Sequence, residues 1–301
     1  MKSAISTLGG RPVRAFLAAI AFLLLSLAAG SLLAGSAPVA AHIVEPVSSL
    51  ADAKDVAGRG VPWTALVPLA ASALLYARGI IRLWSASGAG RGIGWGSAAC
   101  FAAGWATLAL ALLSPLDTTA SKLFWTHMVQ HELLMLVAAP LLVLGRPLHA
   151  WLWAFGPSAR RRIGTFGRTF GRAALWRFVS SAGGGWVLHG VTLWVWHAPP
   201  LFDAALVRPW VHDLQHVSFL AGALAFWWGL AVARARHAWG AGVLYLFTTM
   251  VHTSVLGALL TFARVPWYAA YLATAPSHGL TALEDQQLGG LIMWVPGSIV
   301  Y

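Results

Sequence analysis

The chain has 301 residues, 58% of them hydrophobic and 10% charged, with a mean hydropathy of +0.71; this is too little polar surface to coat a water-soluble globule. Twenty Lys and Arg against nine Asp and Glu give a formal charge of +11, but the basic residues are scattered between apolar runs, so the imbalance reflects membrane topology and not a nucleic-acid partner. The single cysteine, Cys100, excludes an intramolecular disulfide and any CxxC metal or redox motif.

The expected fold class is all-α, a polytopic transmembrane helix bundle with seven spans after a cleavable signal peptide. Lys2, Arg11 and Arg14 precede the apolar run AFLAAIAFLLLSLAAGSLLA, and SAPVAAH follows it with Val39 and Ala41 at the small-residue positions that precede a cut. The domain division is therefore a signal peptide over 1–41 and a seven-helix membrane domain over 42–301, with an uncleaved signal anchor as the alternative. Cleavage exposes the amine of His42, which together with its imidazole makes a nitrogen pair suited to copper.

Downstream, apolar runs predict helices over 62–84, 95–114, 123–144, 183–198, 212–233, 241–263 and 286–301. Ser114-Pro115, Gly145-Arg146-Pro147, Ala198-Pro199-Pro200 and the stretch around Pro276 punctuate them. The seventeen tryptophans suit headgroup belts at both interfaces or packing between helices. The arginine-rich segment 156–182, GPSARRRIGTFGRTFGRAALWRFVSSA, reads as a cytoplasmic loop lying on anionic membrane lipid, with a phosphate-ligand site as the alternative. The last run is short: from Leu288 to Tyr301 is about 21 Å of helix at 1.5 Å per residue, against a hydrocarbon core of roughly 30 Å. Either the chain is cut short here, or Leu283–Gln287 extends a polar helix mouth, or the segment only half inserts.

Charge orders these helices. With a cytoplasmic leader, 15 of the 20 basic residues fall inside, only Lys54, Arg59, Lys122, Arg208 and Arg264 fall outside, and all nine acidic residues lie in outer loops or outer helix ends. The positive-inside rule then places the mature N-terminus outside and the C-terminus in the cytoplasm of a bacterial inner membrane.

In this topology the third span opens with THMVQHE and the fifth with VHDLQHVSF. His127 and His131 share one helical face, as do His212 and His216, because residues four apart are neighbours on a helix. His197 closes the fourth span on the same side, and His252 lies near mid-depth of the sixth. Ionisable groups are penalised in hydrocarbon, so they face a bundle interior, a partner or a cavity. The two pairs offer four imidazoles to one ion, with His197 and His252 as further ligands or supporting groups. Glu132 and Asp213 are candidate supporting carboxylates, Asp213 having a helix-capping alternative, while His189 and His149 read as interhelical hydrogen-bonding residues. Imidazole suits copper, zinc, nickel and iron; the thioethers of Met128, Met135 and Met250 tilt the choice towards Cu(I), with zinc equally allowed by spacing.

The series HMVQHELLMLVAAPLLVLGRP, LWVWHAPPLFDAAL, VHDLQHVSFLAGALAFWW and LEDQQLGGLIMWVPGSIVY, from about residue 61 to the end, resembles the CtaG-type family of cytochrome c oxidase assembly factors, the caa(3)-type group of seven-helix membrane proteins. The resemblance implies a partner among the cytochrome c oxidase subunits and help in delivering copper on the outer side. It carries the ligand role onto His127, His131, His212 and His216, and marks Asp285, Gln286 and Met293 as part of the family's last motif, Asp285 as a supporting group. The resulting expectation is a non-enzymatic copper-handling assembly factor that passes the ion on by ligand exchange. No nucleophile–base pair, phosphate loop or dinucleotide motif suggests an enzyme. The alternatives are a haem-binding membrane protein and a copper transporter.

Overall fold

A computed structural model describes residues 62–170, 174–235 and 239–301; the leader, its cleavage site and His42 lie outside the described residues. Among the described residues the chain is helical without strands: α1 Trp63–Ser87, α2 Trp95–Leu113, α3 Pro115–Ala120, α4 Phe124–Glu132, α5 Ala139–Gly145, α6 Pro147–Ala154, α7 Pro157–Phe170, α8 Ala174–Val179, α9 Ala182–Trp196, α10 Pro199–Val207, α11 Pro209–Ala235, α12 Trp239–Thr261 and α13 Ala282–Val300. Each of the seven expected apolar runs is a helix. Five are long and apolar enough to cross a membrane: α1, α2, the continuous stretch Phe124–Gly145, α11 and α12. The protein is a membrane helix bundle.

The stretch Phe124–Gly145 is not a uniform helix. α4 runs into a π-helical turn, Leu133–Ala138, before α5 resumes. Pro140 supplies the reason: it lacks an N–H and its ring crowds the carbonyl four residues back, so the wider π turn accommodates it inside a span. At the far end Arg146 adopts the left-handed conformation (φ 54°) that breaks α5 from α6.

Two findings refine the expectations. The connection 156–182 contains two helices, α7 and α8, and its Arg160 guanidinium lies 4.0 Å from the centre of the Trp153 ring. Nearby, Arg78 Nε and Arg82 donate to the carbonyl of Ala154 at 3.0 and 2.8 Å, satisfying the C-terminus of α6 with the positive charge that its dipole favours. The last helix begins at Ala282, with Thr281 and Glu284 forming a reciprocal capping box. Its 19 residues give about 28 Å, so Leu283–Gln287 is the polar mouth of a longer helix.

Several tryptophans act as clamps between helices. The indole N–H groups of Trp105, Trp151 and Trp227 donate to the carbonyls of Leu69, Ser72 and Met135 at 2.8, 3.1 and 2.9 Å. In hydrocarbon no water competes for these acceptors.

The motif DQQLGG at the head of α13 ties the bundle together. Asp285, 0% exposed, accepts the backbone N–H groups of Phe124 and Trp125 at 2.8 and 3.0 Å, capping α4 from another helix. Gln286 Oε1 accepts from the Trp267 N–H at 2.6 Å, and Gln287 donates to the Ala263 carbonyl at 3.1 Å. Gly289 and Gly290 allow the close approach: a Cβ on Gly289 would enter the Phe124 ring, and one on Gly290 would sit 2.6 Å from Thr261 Oγ1.

Candidate metal centre

α4 enters the bundle with His127 and His131 on its inward face, and α11 brings His212 and His216 against them. The ring centroids of His127 and His212 are 5.4 Å apart, those of His127 and His216 6.1 Å, and those of His131 and His216 5.6 Å. His127, His131 and His216 are buried, and one ring nitrogen from each lies within 4.8 Å of the others. A second group shares His216 and adds His212 and Asp117, all within the same limit and half-buried apart from His216. Asp117, on α3, was not recognised in the sequence.

His197, at the C-terminal end of α9, joins from the third side with its ring 6.3 Å from that of His131. Its Nδ1–H donates to the Leu193 carbonyl at 2.7 Å, which leaves Nε2 as the lone-pair nitrogen. Five of the six candidate histidines are thus brought together. The sixth, His252, is not: it lies beside Trp186 and His189, at centroid distances of 5.7 and 6.2 Å.

The remaining candidates have other neighbours. Asp213 and Thr64 of α1 line the same cavity. Asp285 acts on the backbone of α4 and not on an imidazole. Glu132 Oε2 is enclosed without a hydrogen-bond partner, and its carboxyl lies within electrostatic reach of Tyr301. Met128 packs on Gly289 of α13.

The hydrogen bonding sets the tautomers. Tyr271 O–H donates to the Ala120 carbonyl at 3.0 Å, so its oxygen accepts from His127 Nδ1–H at 3.1 Å. Burial, with Asp285 nearby, pushes the Tyr271 phenol up, and it remains a donor. His127 Nε2 then carries the lone pair and accepts from His131 Nε2–H at 2.9 Å. This is the arrangement in which an outer hydrogen bond fixes a ligand's orientation.

The donor set fits a transition ion. His131 Nδ1, His197 Nε2 and His216 Nε2 are buried and lack hydrogen-bond partners, a cost of about 1–3 kcal/mol each that a ligand relieves. In this tautomer the nitrogens open to an ion are those three, while the His127 Nε2 lone pair is held by His131 Nε2–H until that hydrogen bond is exchanged for the ion. Phe202 covers the group, its ring 5.0 Å from His127 and 4.2 Å from Tyr268, and the Tyr268 hydroxyl donates to the His197 carbonyl at 3.0 Å. His212 and Asp117 are only half-buried, which makes their side the mouth of the group.

Gln130 fixes that mouth, donating to Asp117 and to the Ala111 carbonyl, both at 2.8 Å. Neither Asp117 nor Tyr271 carried a local signal, since each lies in a connection between spans and gains its role only from packing.

No solved structure matches the chain. It is 25% identical over 205 residues, 63% of its length, to an uncharacterized protein of Mycobacterium leprae, of which it spans 30%. The profile of the cytochrome c oxidase caa3 assembly factor family matches residues 74–301, a stretch that holds both histidine pairs, His197 and the DQQLGG motif. The chain belongs to the cytochrome c oxidase caa3 assembly factor family.

Proposed function

We propose that this chain handles copper during assembly of a haem-copper oxidase, collecting the ion at the histidine end of the bundle and releasing it to an oxidase subunit by ligand exchange. The observation that carries the reading is the convergence of His127, His131 and His216 within 4.8 Å, with His131 Nδ1, His216 Nε2 and the neighbouring His197 Nε2 buried and unpartnered. Copper, as cargo, needs a site that binds and lets go. Three buried imidazoles give affinity, and the half-buried pair His212 and Asp117 provides an intermediate station at the mouth, so that ligands are replaced one at a time. The distribution of arginines supports an outward-facing histidine end in a bacterial inner membrane, with the C-terminus in the cytoplasm. The role requires no catalysis.

Metal analysis of the purified protein beside a His127→Ala/His131→Ala variant tests this, with the copper content of the oxidase measured in the matching cells. Copper in the wild type, its loss in the variant and a copper-poor oxidase are expected. Unchanged values in both would sink the assignment.

A further inference from the structure

About 12 Å along α9 from His197, eight residues at 1.5 Å each, lies His189, 3% exposed. His252 of α12 faces it, with ring centroids 6.2 Å apart and planes inclined at 61°. Nδ1 of His189 and both ring nitrogens of His252 are enclosed and have no hydrogen-bond partner. The Nε2 edge of His252 lies against the backbone of α9: a Cβ on Gly190 would be 3.7 Å from its Cε1 and Nε2. On its other side His189 Nε2 is 2.9 Å from the Tyr301 hydroxyl, and Tyr301 is held between Phe226 and Trp227 at centroid distances of 5.3 and 5.8 Å. Unpartnered imidazole nitrogens on facing helices, away from water, are costly, and nothing at the outer histidine group uses them.

We infer that His189 and His252 form a second metal site, a two-coordinate site for Cu(I) inside the bundle, with Tyr301 as a positioning residue. The identity of the ion rests on the copper-handling reading above. Two imidazoles bound at about 2.0 Å on opposite sides of one ion place their ring centroids roughly 6.2 Å apart, and inclination of the planes is no obstacle because each ring turns freely about its own metal–nitrogen axis. With Nε2–H of His189 donating to the phenol oxygen, Nδ1 holds the lone pair for the ion, the pattern of an oriented ligand histidine. A soft monovalent ion suits two neutral nitrogens at low dielectric better than a divalent one, which calls for more ligands and more compensating charge. Trp186 and Gly190 both lie against the His252 ring.

The test is titration of the purified full-length chain with Cu(I), under reducing conditions and against a colorimetric chelator, with X-ray absorption on the loaded protein. Wild type should bind about two equivalents. His127→Ala/His131→Ala should keep one, showing the near-edge transition of two-coordinate Cu(I), and His189→Gln/His252→Gln should keep the other without that transition. Tyr301→Phe should weaken only the two-coordinate site, by roughly tenfold, the usual scale for an outer hydrogen bond to a ligand. One equivalent in wild type, lost entirely in the His127/His131 variant, overturns the inner site and leaves the outer one standing. An absence of binding in wild type overturns both. Should the His189/His252 variant misfold, the His127/His131 variant decides alone: no retained ion, or a retained ion without the two-coordinate feature, refutes the inference, as does a Soret band in the isolated protein.

Discussion

Replacing Asp285 by Asn should loosen the helix that carries His127 and His131 without touching either ring. The native carboxylate spans two N–H groups at 2.8 and 3.0 Å, one on each oxygen, at a fully buried position. Asparagine keeps one oxygen and turns an amide NH2 towards the other N–H, so one charge-assisted bond is lost, at about 1.5–3 kcal/mol, and the favourable charge at the helix N-terminus goes with it, at about 0.3–1 kcal/mol. An overall destabilisation of about 2–4 kcal/mol follows. If half of it is expressed at the histidine group, Cu(I) affinity falls by roughly tenfold, since 1.4 kcal/mol is a factor of ten. Hydrogen exchange of the Phe124 and Trp125 amides, measured on metal-free protein in detergent, reads the first effect directly, and chelator competition reads the second. Unchanged exchange at these two amides together with an unfolding free energy within about 0.5 kcal/mol of wild type, the level of an ordinary surface change, would refute the capping argument.

Tyr271→Phe removes the acceptor for His127 Nδ1–H and the donor to Ala120; Cu(I) affinity should drop about tenfold or more while the fold is retained by circular dichroism. Gly290→Ala places a Cβ 2.6 Å from Thr261 Oγ1 and 2.7 Å from its backbone nitrogen, and overpacking of this kind should cost about 1–3 kcal/mol in thermal unfolding. Glu132→Gln should reduce copper loading less than either His127→Ala or His131→Ala, because Glu132 is not among the groups whose ligand atoms converge; a larger loss, measured by metal analysis, would place it on the ion. Asp117→Asn removes charge from the mouth and should slow Cu(I) uptake in stopped flow more than it changes the final stoichiometry.

The helices were legible in the sequence because a bilayer demands apolar runs of nearly fixed length, and the His-x-x-x-His spacing put each pair on one face. That α4 and α11 meet, and that His197 reaches them, depended on tertiary packing, which periodicity does not encode. His252 shows the limit: depth in a span was readable, but the neighbour it faces was not, and its nearest imidazole is that of His189, read from sequence as an ordinary interhelical residue. The π turn at Leu133–Ala138 went unforeseen, although Pro140 inside a span was a cue. Within the connection 156–182 the helices are hard to read because arginines and glycines mask an amphipathic pattern in which α7 places Arg161 and Arg162 outward. The role of Asp285 was hidden for another reason, since the amides it holds lie 161 and 160 positions earlier in the chain.

That separation carries a consequence for biogenesis. Spans emerge from the ribosome in order, so the helix bearing His127 enters the bilayer with bare N–H groups at its first turn and waits through most of synthesis for the carboxylate that will satisfy them. Until α13 arrives, the earlier histidines are present but not held in register. On the copper-handling proposal, the histidine group is therefore held in register only once α13 docks on α4.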